Sequence, residues 1–469
     1  MKAGYASADI TPDREVTLCG FAARCDQPAT GIDDRLIVHA LALQQRGETV
    51  LLLAFDLLGL GPEAVDRIHE GLDAAGVPAP REQRIFCCTH THGAPAAVKL
   101  IGCGVIELTY LEQLTTAATQ AAQAAIQSLQ PAVLRKALLE VPEGNYNRRR
   151  VLEDGRVVMA QQPDAPVART GPVWNELMLL RWEDQQGQPI SGLAIWAAHA
   201  CTVCDSRITG DFPAELCRRL AERYGHPFMY LQGSCGNLNP PLLEMNRGEM
   251  LGNVTRLMNC LPRDNEAVPW SKPLPTDPFG VTAEPIRLQY QALMGSDELQ
   301  AIRDGMRSIE ETGKGPIRFV AELTNILNTE PGEDPDPIML RYIASILRRW
   351  GEETLQDGER RLREGCMLDI RTLHLGATAL CFVAAEPFVE TAYALREACP
   401  DRNVSLIGYG SPLIGYLPTD PALDEGGYEV DYAYRFYGHP AGFAKGSEPA
   451  ALRAMIHTVN AQAAVAGRA

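Results

Sequence analysis

The chain has 469 residues, 46% hydrophobic and 22% charged, enough for a large buried core and ordinary for a globular protein. Its net charge of −16 gives it no basic face for nucleic acid or for an anionic membrane surface. No run approaches the ~20 apolar residues of a membrane span, and the opening residues lack the apolar core of a signal peptide. The 13 cysteines are an odd number spread through apolar contexts, and Cys201-x-x-Cys204 has no second pair at zinc-site spacing. Reduced thiols and a cytoplasmic location are therefore expected.

From the N-terminus, Ala3 to Pro12 reads as a strand and Leu36 to Gln44 as another. Val50 to Phe55 is a strongly apolar strand with Asp56 at its end, where a helix cap is the better reading than a site residue. Pro62 to Ala75 has helical spacing, and Arg84 to Cys88 is the next strand; this rhythm is that of an α/β chain. The run then passes into Thr89-His90-Thr91-His92 and breaks at Gly93 and Pro95. Alternation along a strand puts His90 and His92 on one face, and two imidazoles before a glycine turn suit a zinc site. The alternative is two polar residues where a strand meets solvent.

Tyr110 to Leu129 is an Ala- and Gln-rich helix, followed by a strand over Leu134 to Val141 that leads to Asn147-Arg148-Arg149-Arg150. Three arginines in a row suit either a solvated edge or a clamp on a substrate carbonyl or carboxylate. Glu176 to Trp182 and Gly192 to Ala198 read as paired strands, the second ending at His199, and open α/β sheets bind ligands beyond such strand ends. After a helix over Ala214 to Tyr224 and a strand over Phe228 to Leu231 comes Gly233-Ser234-Cys235-Gly236-Asn237-Leu238-Asn239-Pro240. That turn suits an oxyanion cradle as well as an ordinary tight turn.

Arg263 to Pro285 is proline-rich and irregular. Asp297 to Glu311 and Pro337 to Arg363 read as helices joined by the acidic stretch Thr329 to Asp336, a helical insertion over about 290–365 within a single domain. Met367 to Leu375 and Ala377 to Val383 form a hairpin across Gly376. Glu386 then sits at a strand-to-helix corner, before a helix over Pro387 to Ala398. Val404 to Gly410 is the last strand, and an amphipathic helix over Pro449 to Ala464 closes the chain.

Nine segments in a fixed order resemble the catalytic domain of the neutral (non-lysosomal) ceramidases and their bacterial relatives. They are ADITP from Ala8, GIDDRLIVHAL from Gly31, THTHGAP from Thr89, NRR from Asn147, AAHA from Ala197, QGSCGNLNP from Gln232, AAEPF from Ala384, GYLPT from Gly415 and GGYE from Gly426. The resemblance implies an α/β fold of mixed β-sheets flanked by helices. It implies one Zn²⁺ per chain held by His90, His199, Glu386 and Tyr416. His92 would be an acid/base or supporting histidine, Arg148 the carbonyl-binding arginine and Tyr428 a second active-site tyrosine. Where the family has a nucleophilic serine this chain has Asn239, and neither the family's C-terminal β-sandwich nor an export signal is expected.

The resulting expectation is a zinc-dependent hydrolase that cleaves an amide, or an ester or lactone, of a small soluble substrate with metal-activated water. Arg148 and His92 would bind or polarise the carbonyl, and His92 or Tyr428 would protonate the leaving group. Asn239 and the Gly236 turn would steady the oxyanion. Neither nucleic acid nor a stable membrane association is expected, and a homo-oligomer is left open. Three rivals remain at this stage: a metal-assisted isomerase or lyase on the same scaffold, a thiol hydrolase using Cys235, and a non-catalytic binding protein stabilised by its metal.

Overall fold

In the computed structural model, residues 1–159, 165–327 and 334–461 are described. Three mixed sheets carry the fold, and the reason lies in how their strands alternate. Along strand Glu48–Phe55 every residue from Thr49 on is buried. Val50, Leu52 and Ala54 point into one apolar cluster, and Leu51, Leu53 and Phe55 into another. A strand that is apolar on both faces must be covered on both. The same division runs through the other sheets. Leu193 and Ile195 enter the shared cluster, whereas Ala194 and Trp196 face outward; Leu380 and Phe382 oppose Cys381 and Val383 in the same way.

The first sheet joins Arg84–Cys88, Glu48–Phe55, Ile37–Gln45, Lys2–Asp9 and the two-residue edge Gln130–Pro131. The second joins Phe228–Gln232, Pro189–Trp196, Glu176–Glu183 and Val133–Glu140. The third joins Phe279–Ala283, Ile370–Leu375, Thr378–Val383 and Asn403–Ile407. The inner faces of all three meet in one core that includes Leu52, Trp182, Leu231 and Leu373. Helices Pro62–Ala74 and Leu108–Gln127 cover the outer face of the first sheet, and Asp211–Tyr224 and Arg247–Cys260 that of the second. Val389–Ala398 and Ser447–Asn460 cover the third.

Each sheet contains one parallel pair: Glu48–Phe55 with Arg84–Cys88, Pro189–Trp196 with Phe228–Gln232, and Thr378–Val383 with Asn403–Ile407. Isolated bridges Cys87 to Gly410 and Gly233 to Ile407 tie the C-terminal ends of these pairs together. A separate helical layer, Ser296–Thr312, Ile317–Ile326 and Pro337–Glu364, has its own core around Trp350 and also takes in Ile101, Cys103 and Phe436.

Several expectations change. Helix Ile317–Ile326 was not foreseen, and the irregular stretch from Arg263 contains strand Phe279–Ala283. Asp369 splits the first arm of the late hairpin into Cys366–Leu368 and Ile370–Leu375, each pairing with a different strand. Asp56 caps no helix: the next helix is preceded by Gly61, and the Asp56 carboxylate instead accepts the Ile37 N–H at 3.0 Å. Most of the acidic stretch Thr329 to Asp336, and the expected helix end beyond residue 461, lie outside the described residues. All 13 cysteines are free thiols.

Candidate metal centre

His90 and His92 lie beyond the end of their strand, so pleat alternation does not align them. His90 instead adopts a left-handed backbone conformation (φ +62°) in the turn after Cys88. Its N–H bonds Leu57 O at 2.9 Å and its Nδ1 faces Leu58 O at 2.8 Å, which leaves Nε2 as the free lone pair. His199 lies three residues past strand Pro189–Trp196. Its N–H bonds Leu238 O at 2.9 Å, and its Nδ1 faces Cys235 O at 3.3 Å. The two Nε2 atoms therefore confront each other 3.0 Å apart, with His92 Nε2 at 3.4 Å from that of His90. The three imidazoles are buried, and their ligand atoms lie within 4.8 Å of one another. Among the described residues they are the one group of His, Cys, Asp and Glu side chains gathered in this way.

Glu386 completes the cluster. It opens a two-residue parallel pairing with Tyr416, residue opposite residue, and its N–H bonds Gly415 O at 2.8 Å. Oε1 accepts the Tyr437 hydroxyl at 2.5 Å. Oε2 is buried without a hydrogen-bond partner, 3.3 Å from His90 Nε2 and 3.9 Å from His199 Nε2. An unpaired carboxylate oxygen facing two imidazole lone pairs costs several kcal/mol if nothing lies between them. A cation shared by the three atoms removes that cost, and nitrogen with carboxylate oxygen is a donor set that zinc accepts. Burial, with the neighbouring His90 imidazole and the charges of Arg24 and Arg148, holds His92 well below the usual imidazole range; burial, Arg148 and the two other imidazoles do the same to His199. Both are neutral at pH 7, as ligands and proton acceptors must be.

Beside the donors lies a buried ion-pair network. Arg148 donates from Nη2 to the Tyr416 hydroxyl at 2.9 Å, from Nη1 to Asn239 Oδ1 at 3.3 Å and from Nε to Glu429 at 2.9 Å. The other Glu429 oxygen accepts from Arg149 at 2.7 Å. Tyr428 reaches the same place from a one-turn π-helix, Tyr428–Tyr432, with its ring centroid 6.1 Å from that of Tyr416.

No protein-family profile and no curated protein match the sequence. Among solved structures, a ceramidase complexed with C2 superposes over 100% of this chain and 77% of its own, with a TM-score of 0.68 at 14% identity. The neutral ceramidase from Pseudomonas aeruginosa does so over 100% and 76%, with a TM-score of 0.66 at 15% identity. The chain has the neutral ceramidase fold.

On that fold, the residues singled out from sequence gather at one place, at the C-terminal ends of the parallel pairs. His90, His92, His199 and Glu386 surround one point. Tyr416, Arg148 and Asn239 form a hydrogen-bonded group alongside, and Tyr428 flanks Tyr416. The Gly236 amide is committed to Pro387 O at 2.9 Å and so is not itself free to serve an oxyanion. Cys235 is fully buried against the Tyr409 hydroxyl at 3.0 Å, and burial drives its thiol well above the ordinary value, so it is no thiolate nucleophile. Sequence reading missed Tyr437 and Glu429. Glu429 stands inside the quoted GGYE segment, whereas nothing local distinguishes Tyr437 among its neighbouring tyrosines.

Proposed function

We propose that the chain is a zinc-dependent amidohydrolase of the ceramidase type, cleaving a linear amide, or the related ester or lactone, of a small substrate. One observation carries this reading: Nε2 of His90, Nε2 of His199 and Oε2 of Glu386 converge, and the carboxylate oxygen has no donor. In this reading those three hold the metal, and Tyr416, in register with Glu386, is the fourth ligand. The likeness to two ceramidases supports an amide as the bond broken. Residues 290–365 are then a helical insertion into one catalytic unit.

A divalent ion bound there would supply Lewis acidity, polarising a carbonyl and lowering the pKa of water. The remaining work falls to the side chains. Glu429 fixes the Arg148 guanidinium, whose second N–H groups on Nη1 and Nη2 are placed to hold the substrate carbonyl oxygen. Neutral His92 accepts a proton from water as the oxygen–carbon bond forms. The carbon–nitrogen bond then breaks as His92 or Tyr428 donates a proton to the leaving amine. Burial raises the Tyr428 pKa, so the phenol keeps its proton until it is needed. Asn239 accepts from Arg148, and an amide side chain is not a nucleophile, so the attack is by water in a single displacement.

The test is metal content together with intermediate trapping. Purified protein should carry about one zinc per chain, and Glu386→Ala or His199→Ala should lose both metal and turnover of N-acyl amides. Rapid quench should show no acyl group on the protein. Unchanged metal content in both variants, or an acyl group on Ser234 or Cys235, would overturn the reading.

A further inference from the structure

The two oxygens of Glu386 do different things. Oε2 faces the imidazoles and has no other partner, while Oε1 accepts the Tyr437 hydroxyl. A carboxylate held at one oxygen cannot turn to offer the other, so the phenol decides which atom points at the centre.

Tyr437 is itself held from two sides. On one side its segment belongs to the helical layer. The Ile101 N–H bonds Phe436 O at 2.8 Å, Trp350 Nε1 bonds His439 O at 2.7 Å, and Arg361 Nη1 bonds Gly438 O at 2.5 Å. Phe436 is part of the core around Trp350, and the Tyr434 ring meets Trp350 edge-on at 5.9 Å. On the other side, His439 Nε2 bonds Ile414 O at 2.7 Å. The Tyr437 ring also lies directly on Gly415, where a Cβ would sit 2.7 Å from the ring and where φ is +94°. Gly415 O in turn accepts the Glu386 N–H. Phenol, glycine and carboxylate thus close a small circuit that has no need of a side chain at 415 and no room for one.

We propose that Tyr437 is a positioning residue for the metal-ligating oxygen of Glu386, and that through it the helical layer sets how tightly the centre holds its ion. The inference rests on the reading of the cluster as a metal site and adds a residue that reading does not require. Loss of a hydrogen bond behind a ligand typically weakens metal binding about 10–100-fold.

The experiment is titration of metal-free full-length protein with Zn²⁺ against a competing chromophoric chelator, and with Co²⁺ followed by its visible absorption. Wild type, Tyr437→Phe, Gly415→Ala and Glu386→Ala are compared, each checked for folding by near-ultraviolet circular dichroism. Tyr437→Phe deletes one oxygen, and Gly415→Ala pushes the ring away without deleting it. Both should raise the zinc dissociation constant about 10–100-fold and alter the cobalt spectrum, because the carboxylate reorients. A tyrosine that merely fills space would change neither. A folded Tyr437→Phe or Gly415→Ala protein with wild-type affinity and an unchanged cobalt spectrum overturns the inference while leaving the metal reading intact. A wild-type protein that takes up no metal removes both.

Discussion

Arg148 shows how much of the site depends on the shape of one side chain. Its guanidinium reaches Glu429, Asn239 and Tyr416 along three directions of one plane. A lysine keeps the charge but concentrates it at one nitrogen, so it cannot satisfy the carboxylate and present flat N–H groups to a carbonyl together. Arg148→Lys is therefore expected to fold and bind metal, yet lose about 10²–10³ in kcat/KM on N-acyl amides. Steady-state kinetics alongside metal analysis would check this, and full activity in the variant would remove Arg148 from the mechanism.

At the scale of elements, the strand Glu48–Phe55 delivers a buried acid to a place where it is costly. Asp56 is 2% exposed, and burial, only partly offset by the Ile37 N–H and Thr89, pushes its pKa up from 3.8 to about 7. A folded-state pKa above the unfolded one means the native protein binds the extra proton. That stability is complete below about pH 4 and is lost as pH rises through about 7. Asp56→Asn keeps an acceptor for Ile37 and removes the titration. Its unfolding free energy should not show this decline, and it should exceed wild type at pH 7.5; denaturant melts across that range would show parallel curves if the idea is wrong. The same strand marks what the sequence could and could not disclose. Its apolar run announced a strand, though not that both of its faces would be covered, and histidines after such runs announced a site at strand ends. Alternation then gave the wrong reason for pairing His90 with His92, because the strand stops at Cys88 and a left-handed residue does the aligning. Glu429 and Tyr437 were hidden for another reason. Their partners Arg148 and Glu386 lie 281 and 51 residues away, and no local pattern encodes a contact at that distance.

For the molecule as a whole, the three sheets share one inner core, and the ends of their parallel pairs meet at the histidine cluster. An ion bound there ties together segments from all three. Excess Zn²⁺ at about 1,000 times its dissociation constant should add about 4 kcal/mol to global stability. Chelation should lower the melting temperature in one cooperative transition, and calorimetry showing no shift would mean the cluster binds nothing when folded. The order of those donors along the sequence also bears on when such a site can assemble. Along the sequence His90 and His92 come first, His199 follows 109 residues after His90, and Glu386 with its tyrosine comes last. Until the segment that carries Glu386 is in place, the imidazoles lack the carboxylate that faces them. A metal held by all of these donors could then settle only once the last of the three sheets has formed, and its presence would report that the three had come together.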